Sequence, residues 1–264
     1  PHPLTLPMNA LRTLVLLGAA ASAALSPAFA ADNARPLFNG KDLSGWKGNP
    51  DFWSVRDGAI TGQSTAAKVV DANTFLIWQD GQPANFELRL KFRLTAQNPK
   101  GWGNSGVQYR SRVLDADKFV VGGYQADIDS PFRYTGMLYE ERGRGILMNP
   151  GQKVRVGPAE AVAATTNADA KKGKGKAGPR PKLEVLGTPT TAEQIQAALK
   201  MGDWNELRIV ANGNQLQHYV NGVLTADVTD ADPAVAPKSG VIALQMHKGE
   251  PMTIQFKDIL LKTL

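Results

Sequence analysis

The sequence predicts an all-β domain, a sandwich or barrel of antiparallel strands with one short helix. Three observations predict it. About a dozen short runs alternate apolar and polar residues, the period of a half-buried strand. Turn dipeptides such as Asp57-Gly58, Asn212-Gly213 and Asn221-Gly222 separate several of them. One stretch alone carries helix start and stop signals together.

Taken in order, residues 52–63 read as strand, Asp57-Gly58 turn, strand. Residues 86–95 put Phe86, Leu88, Leu90, Phe92 and Leu94 on one face and charged side chains on the other. Runs at 105–113, 123–129, 134–141 and 152–157 follow at similar spacing. The helix is expected over 191–202, capped by Thr191 with Gln194 three residues on and ended by Gly202. Residues 204–228 read as three strands joined at Asn212-Gly213 and Asn221-Gly222, and 239–249 and 252–264 complete the set. No internal repeat of fixed period is present.

From Met8 the chain has one basic residue, Arg12, an apolar run from Leu14, Pro27 and then Ala-Phe-Ala before Ala31. That is the pattern of a secretory signal peptide over 1–30, with residues 1–7 an over-extended start. The run is short and rich in small residues for a membrane span, so a periplasmic or secreted protein with no stable span after cleavage is expected. The folded domain would occupy 31–264. Of the formal net charge of +6, the tract 169–182 alone contributes +5 and Arg12 the remainder. The basic balance thus belongs to one Gly-, Ala- and Pro-rich segment without aromatics. It reads as a flexible insertion at about 158–182 between two paired strand ends, and no nucleic-acid partner is expected. There is no Cys, hence no disulfide framework and no thiol nucleophile. Neither HExxH nor GxSxG occurs, and the glycines of RGRG at 142–145 lack a strand–helix context for phosphate binding.

Candidate site residues emerge from strand faces. Gln125, Asp127 and Asp129 alternate on one face of their strand; so do Asn104, Gly106, Gln108 and Arg110, and so do Gln245 and His247. One polar face is ordinary in an antiparallel sheet. Three strands that each present an amide beside a charged group or His suit recognition of sugar hydroxyls, with Trp102 and Tyr139 for stacking on a ring. Trp53 and Trp78 are expected in the core. His218 alternates with Leu216 and Val220, which points to a buried, hydrogen-bonded position, although it is also kept among the binding candidates. Glu140, Glu141, Arg142 and Arg144 form either a surface ion-pair turn or a carboxylate acid beside a cationic clamp.

Several ordered blocks resemble the 3-keto-disaccharide hydrolase domain family: LFNGKDLSGW at 37–46, NSGVQYRSR at 104–112, GYQADID at 123–129, GMLYEERGRGIL at 136–147, WNELRIVANGNQLQHYVNG at 204–222 and IALQMHKGEPMTIQFKDILLK at 242–262. The resemblance spans residues 36–264, with the basic insertion as its main departure. It implies a concanavalin A-like jelly-roll sandwich of two antiparallel sheets whose concave sheet holds the site. It also implies an exported enzyme that cleaves glycosides already oxidised to a ketone at C3, a carbohydrate being its partner; the alternative is a non-catalytic, lectin-like module of the cell envelope. For such chemistry His247 or Asp127 would be the base, Arg110 would stabilise the enolate, and Glu141 would be the acid or a metal ligand. Asn104, Gln108, Gln125, Gln245, Tyr139, Trp102 and His218 would bind substrate. The cofactor expectation goes no further than a divalent metal on Asp127, Glu141 and His247, a donor set of oxygen and nitrogen that no ligand spacing compels.

Overall fold

The computed structural model describes residues 33–159 and 180–264. The expected signal peptide and most of the basic insertion lie outside them. Chain order runs β1 (Ala34–Pro36), β2 (Trp46–Lys47), β3 (Trp53–Arg56), β4 (Ala59–Gln63), β5 (Thr74–Trp78), β6 (Phe86–Ala96), β7 (Gly103–Asp115), β8 (Val120–Ser130), β9 (Leu138–Glu141), β10 (Gly145–Met148), β11 (Lys153–Ala159) and β12 (Pro181–Gly187). Helix α1 (Ala192–Ala198) follows, then β13 (Asn205–Asn212), β14 (Gln215–Val220), β15 (Val223–Asp230), β16 (Val241–Met246) and β17 (Met252–Thr263).

The strands form two sheets, as a jelly-roll sandwich requires. A ten-stranded sheet is ordered β12-β11-β15-β14-β13-β6-β17-β4-β3, with β1 also on β17; a seven-stranded sheet is ordered β10-β9-β8-β7-β16-β5-β2. The pairing of the described strands is antiparallel except at one place. Strand β11 runs parallel to β15, because the chain enters the larger sheet directly from β10 at the edge of the smaller one. Its other neighbour, β12, is antiparallel and pairs Ala159 with Pro181 across the insertion, as the two flanking strand ends predict.

The core lies between the sheets. The alternating β6 residues Phe86, Leu88, Leu90, Phe92 and Leu94 are all buried, and they join Val107, Tyr109, Ile128, Leu244 and Met246 from the smaller sheet in one cluster. Each such side chain stabilises by about 1.5–3 kcal/mol through burial. Trp53 and Trp78 are buried as expected. Asp57 and Gly58 both take positive φ (51° and 70°), as do Asn221 and Gly222 (48° and 83°), the geometry of tight hairpins. The helix carries the expected Thr191–Gln194 capping box but stops at Ala198, short of Gly202. The physical reason is competition for its exit: Asn221 donates to the Ala198 carbonyl, and Asn205 bonds both the N–H and C=O of Lys200. Among the described residues no helix is long and apolar enough to cross a membrane.

Candidate functional site

On the smaller sheet the core-facing residues alternate with a second set that points away from the larger sheet. Registration across β9, β8, β7 and β16 brings that second set into rows. Tyr139 lies opposite Gln125, which lies opposite Gln108, which lies opposite Ala243. One row over, Asp127 lies opposite Gly106. The Gln245 carbonyl accepts from Ser105 at 2.7 Å, which places that residue beside Gly106. Gly106 matters for what it lacks: a Cβ there would sit 2.5 Å from the Gln125 side chain, so the amide lies across bare backbone.

The result is a cleft of about 370 Å³ lined by Asn104, Gln125, Asp127, Tyr139, Glu141, Gln245 and His247. That size falls within the range that accepts small-molecule ligands. Seven sequence candidates therefore converge. The cleft is completed by Asn73, Tyr134, Met137 and Lys248, which sequence reasoning missed. These four lie just outside the observed strands; Met137 keeps step with Tyr139 and Glu141 but is apolar, and Tyr134 and Lys248 sit where the expected strands give way to loop. Asn73 accepts from the Lys248 N–H at 3.0 Å and so holds the turn after β16 against the start of β5.

Behind the cleft wall a line of side chains orients Asp127. Ser111 Oγ donates to Gln108 Oε1 at 2.7 Å, Gln108 Nε2 to Gln125 Oε1 at 2.6 Å, and Gln125 Nε2 to Asp127 Oδ1 at 2.9 Å. Asn104 Nδ2 reaches Asp127 Oδ2 at 3.3 Å. Each member's donor is used by the next, so the carboxyl has one preferred orientation. Burial pushes the Asp127 carboxyl up to about 8; the Gln125 hydrogen bond opposes this, and the charge of Asp129 adds to it. Burial also raises the Glu141 carboxyl, against the pull of Arg142, 3.5 Å away. His247 is shifted the other way, with burial lowering it so that the neutral imidazole is favoured. Its Nδ1 is 2.7 Å from the Lys248 carbonyl. A carbonyl only accepts, so Nδ1 carries the proton and Nε2 holds the free lone pair.

Five sequence candidates fall elsewhere. Arg110 turns out of the alternation at a bulge between Tyr109 and Arg112, where its φ is 46°. Its guanidinium bonds the carbonyls of Ala84 and Gly213 at 2.8 and 2.7 Å and the Asn85 side chain at 3.2 Å; it ties loops together and is not in the cleft. His218 is fully buried in the core, with Nε2 2.8 Å from the Tyr109 hydroxyl, so it touches no substrate. Gln108 is also fully buried with both ends of its amide engaged, so it positions Gln125 instead of meeting a hydroxyl. Trp102 precedes β7, packs edge-on against His247 with ring centroids 5.3 Å apart, and lines the neighbouring hollow. Asp129, on the Asp127 face by alternation, instead receives the N–H groups of Arg133 and Tyr134, both at 2.9 Å, and shapes the loop after β8.

In the Glu140–Arg144 cluster the two readings divide by residue. Arg144 is paired with Glu140 and Asp230, a buried structural network, while Glu141 faces the cleft. A hollow of about 590 Å³ beyond Arg142 is lined by these engaged arginines and lacks the cleft's amides. As for a metal, among the described residues no group of three or more His, Asp or Glu side chains is placed to hold one. Asp127, Glu141 and His247 share a cleft without forming a ligand set.

The model of a family described as a 3-keto-alpha-glucoside-1,2-lyase-like domain matches residues 33–262. No curated protein sequence matches the chain. Among solved structures, a Parabacteroides distasonis protein provisionally named a glycosyl hydrolase is 20% identical with a TM-score of 0.51, over 88% of this chain and all of that one. A second from the same organism, provisionally named alike, is 17% identical with a TM-score of 0.50, over 89% and 95% of the two chains. A Bacillus subtilis protein of unknown function with a galectin-like fold is 12% identical with a TM-score of 0.50, over 87% and 94%. At these identities the likeness shows the sandwich fold alone.

Proposed function

The chain belongs to the 3-keto-alpha-glucoside-1,2-lyase-like domain family, a carbohydrate-active group, and on that premise we propose that it cleaves 3-keto-glycosides by elimination across C1 and C2. One observation carries this reading: a buried carboxyl held near 8 and a neutral imidazole line the same amide-rich cleft. At neutral pH the first is a proton donor and the second a proton acceptor, the two groups that such an elimination needs.

A ketone at C3 acidifies the C2 hydrogen. His247 Nε2 takes that proton, and the electron pair delocalises onto the C3 oxygen as an enolate. The enolate then re-forms the ketone, C1=C2 forms, and the C1–O bond breaks. Asp127 gives its proton to the departing oxygen. The products are an enone and an alcohol, with His247 protonated and Asp127 ionised. Hydrolysis follows by the reverse steps with water: Asp127 takes a proton as water adds at C1, and His247 returns one to C2. Each turnover restores both groups. Lys248 supplies positive charge for the enolate oxygen, the role expected of Arg110 before its commitment to loop carbonyls. Gln245 and Asn104 hold ring hydroxyls, Gln125 orients Asp127, and Tyr139 offers an aromatic face. Glu141, on the cleft wall beside Arg142, orders the sugar from the β9 side.

The test is incubation of the purified protein with methyl 3-keto-glucoside, with and without chelator, followed by product analysis. Release of methanol with deuterium incorporation at C2 in heavy water is expected. Binding of the glycoside without methanol release would instead identify a lectin-like module and overturn the enzyme reading.

A further inference from the structure

A second hollow, of about 900 Å³, adjoins the cleft, and His247 and Lys248 line both. Apolar side chains, Trp102, Val69, Val70, Pro99 and Pro251, form most of its remaining wall, with the polar Asp71 and Gln97 beside them. Val69 is 47% exposed, so its side chain is open at this wall, whereas Val70 beside it is buried.

The wall is built and held. Asn98 Nδ2 donates to the carbonyls of Trp102 and Pro251 at 2.7 and 3.0 Å, and Asn98 Oδ1 accepts from the Lys100 and Trp102 N–H groups at 3.1 and 3.3 Å. One amide thus pins the loop between β6 and β7 to the segment before β17. Lys100 and Glu250 close the rim as an ion pair at 2.5 Å. Trp102 is fixed in place, with its ring packed on the imidazole that would take the C2 proton.

We propose that this hollow is the leaving-group subsite, and that it selects glycosides whose aglycone carries an apolar ring. The inference rests on the elimination reading of the adjoining cleft and names the substrate class for it. Continuity through His247 places the hollow next to the reacting carbons. A second sugar would need a line of hydrogen-bonding groups along this wall, but the Asn98 amide is spent on backbone and Glu250 on Lys100, which leaves Asp71 and Gln97, both exposed, beside a mainly apolar surface. Trp, Val and Pro offer an apolar ring shape-matched contact and desolvation.

The experiment compares kcat/KM for benzyl, methyl and glucosyl 3-keto-glucosides. Benzyl alcohol and methanol have nearly equal acidity, so their ratio reports binding of the ring, not leaving-group chemistry. A benzyl-to-methyl preference on the order of 10-fold or more is expected. Val69→Glu, at an exposed position, should lower that ratio several-fold, and Trp102→Ala should lower it toward unity whatever it does to the methyl rate. Turnover of the methyl compound with no benzyl preference would overturn the subsite while leaving the elimination reading intact. A preference for the disaccharide over benzyl, lost in Trp102→Ala, would also overturn it and assign the hollow to a second sugar. If none of the three is cleaved, the elimination reading falls and the subsite with it.

Discussion

At the scale of single residues, the cleft depends on opposite perturbations of two groups by the same cause. Burial disfavours charge, so it raises the Asp127 carboxyl to about 8 and lowers the His247 imidazole. The rate should therefore rise with pH as His247 loses its proton, below its ordinary value, and fall near pH 8 as Asp127 ionises. A pH profile of kcat/KM on methyl 3-keto-glucoside checks both limbs; a rate that climbs through pH 8 would make Asp127 the base instead. Asp127→Asn should remove the alkaline limb and lower kcat by about 100-fold or more, and His247→Ala by a similar factor. Gly106→Ala is a subtler case. Its new methyl would collide with the middle of the Gln125 side chain, so overpacking of about 1–3 kcal/mol is expected together with misorientation of Asp127. Urea unfolding measures the first and kcat the second.

At the scale of strands, alternation made most of the site legible. Gln125 and Asp127, Asn104, Gln245 and His247, and Tyr139 and Glu141 each follow period two within their own strand or its immediate end, and the sheet then aligns those strands. What alternation could not convey is interruption. A bulge in β7 carries Arg110 off the predicted face, and its positive φ is invisible in the residue type. Asn73, Tyr134 and Lys248 escaped because they sit on loops whose course depends on tertiary contacts. Gln108 keeps its face, yet it is roofed over and bonded at both ends, because facing does not report accessibility. The corrected role of Arg110 has its own consequence. Arg110→Ala strips hydrogen bonds from the carbonyls of Ala84 and Gly213, so a loss of roughly 2–4 kcal/mol is expected in denaturant unfolding, with the pH–rate profile unmoved.

At the scale of the whole molecule, the buried groups set how stability varies with pH. Asp127 has a folded value above its unfolded one, so its contribution is full below about 4 and is lost as pH rises through 8. His218 is depressed to about 4 by burial in the core, so it destabilises only as pH falls below 6.5. The two oppose each other in acid; above 6.5 the His218 effect is gone, and Asp127 remains with the likewise raised Glu141 acting in the same direction. Stability should decline between 6.5 and 8, by up to about 1.4 kcal/mol per pH unit from Asp127, and Asp127→Asn should remove that part of the slope. Urea midpoints measured across this range decide the matter. The ten-stranded sheet also ends in β12, none of whose residues lines the cleft. Removing residues 160–179 and joining β11 to β12 by a tight turn should leave turnover of methyl 3-keto-glucoside within about 2-fold of the parent, since the paired ends need little to connect them. The same pairing of Ala159 with Pro181 makes this edge a splice port. Chain leaving and re-entering at neighbouring points can host a foreign domain of almost any length for a small entropic penalty, so a fluorescent reporter grafted there would ride on the protein without straining it.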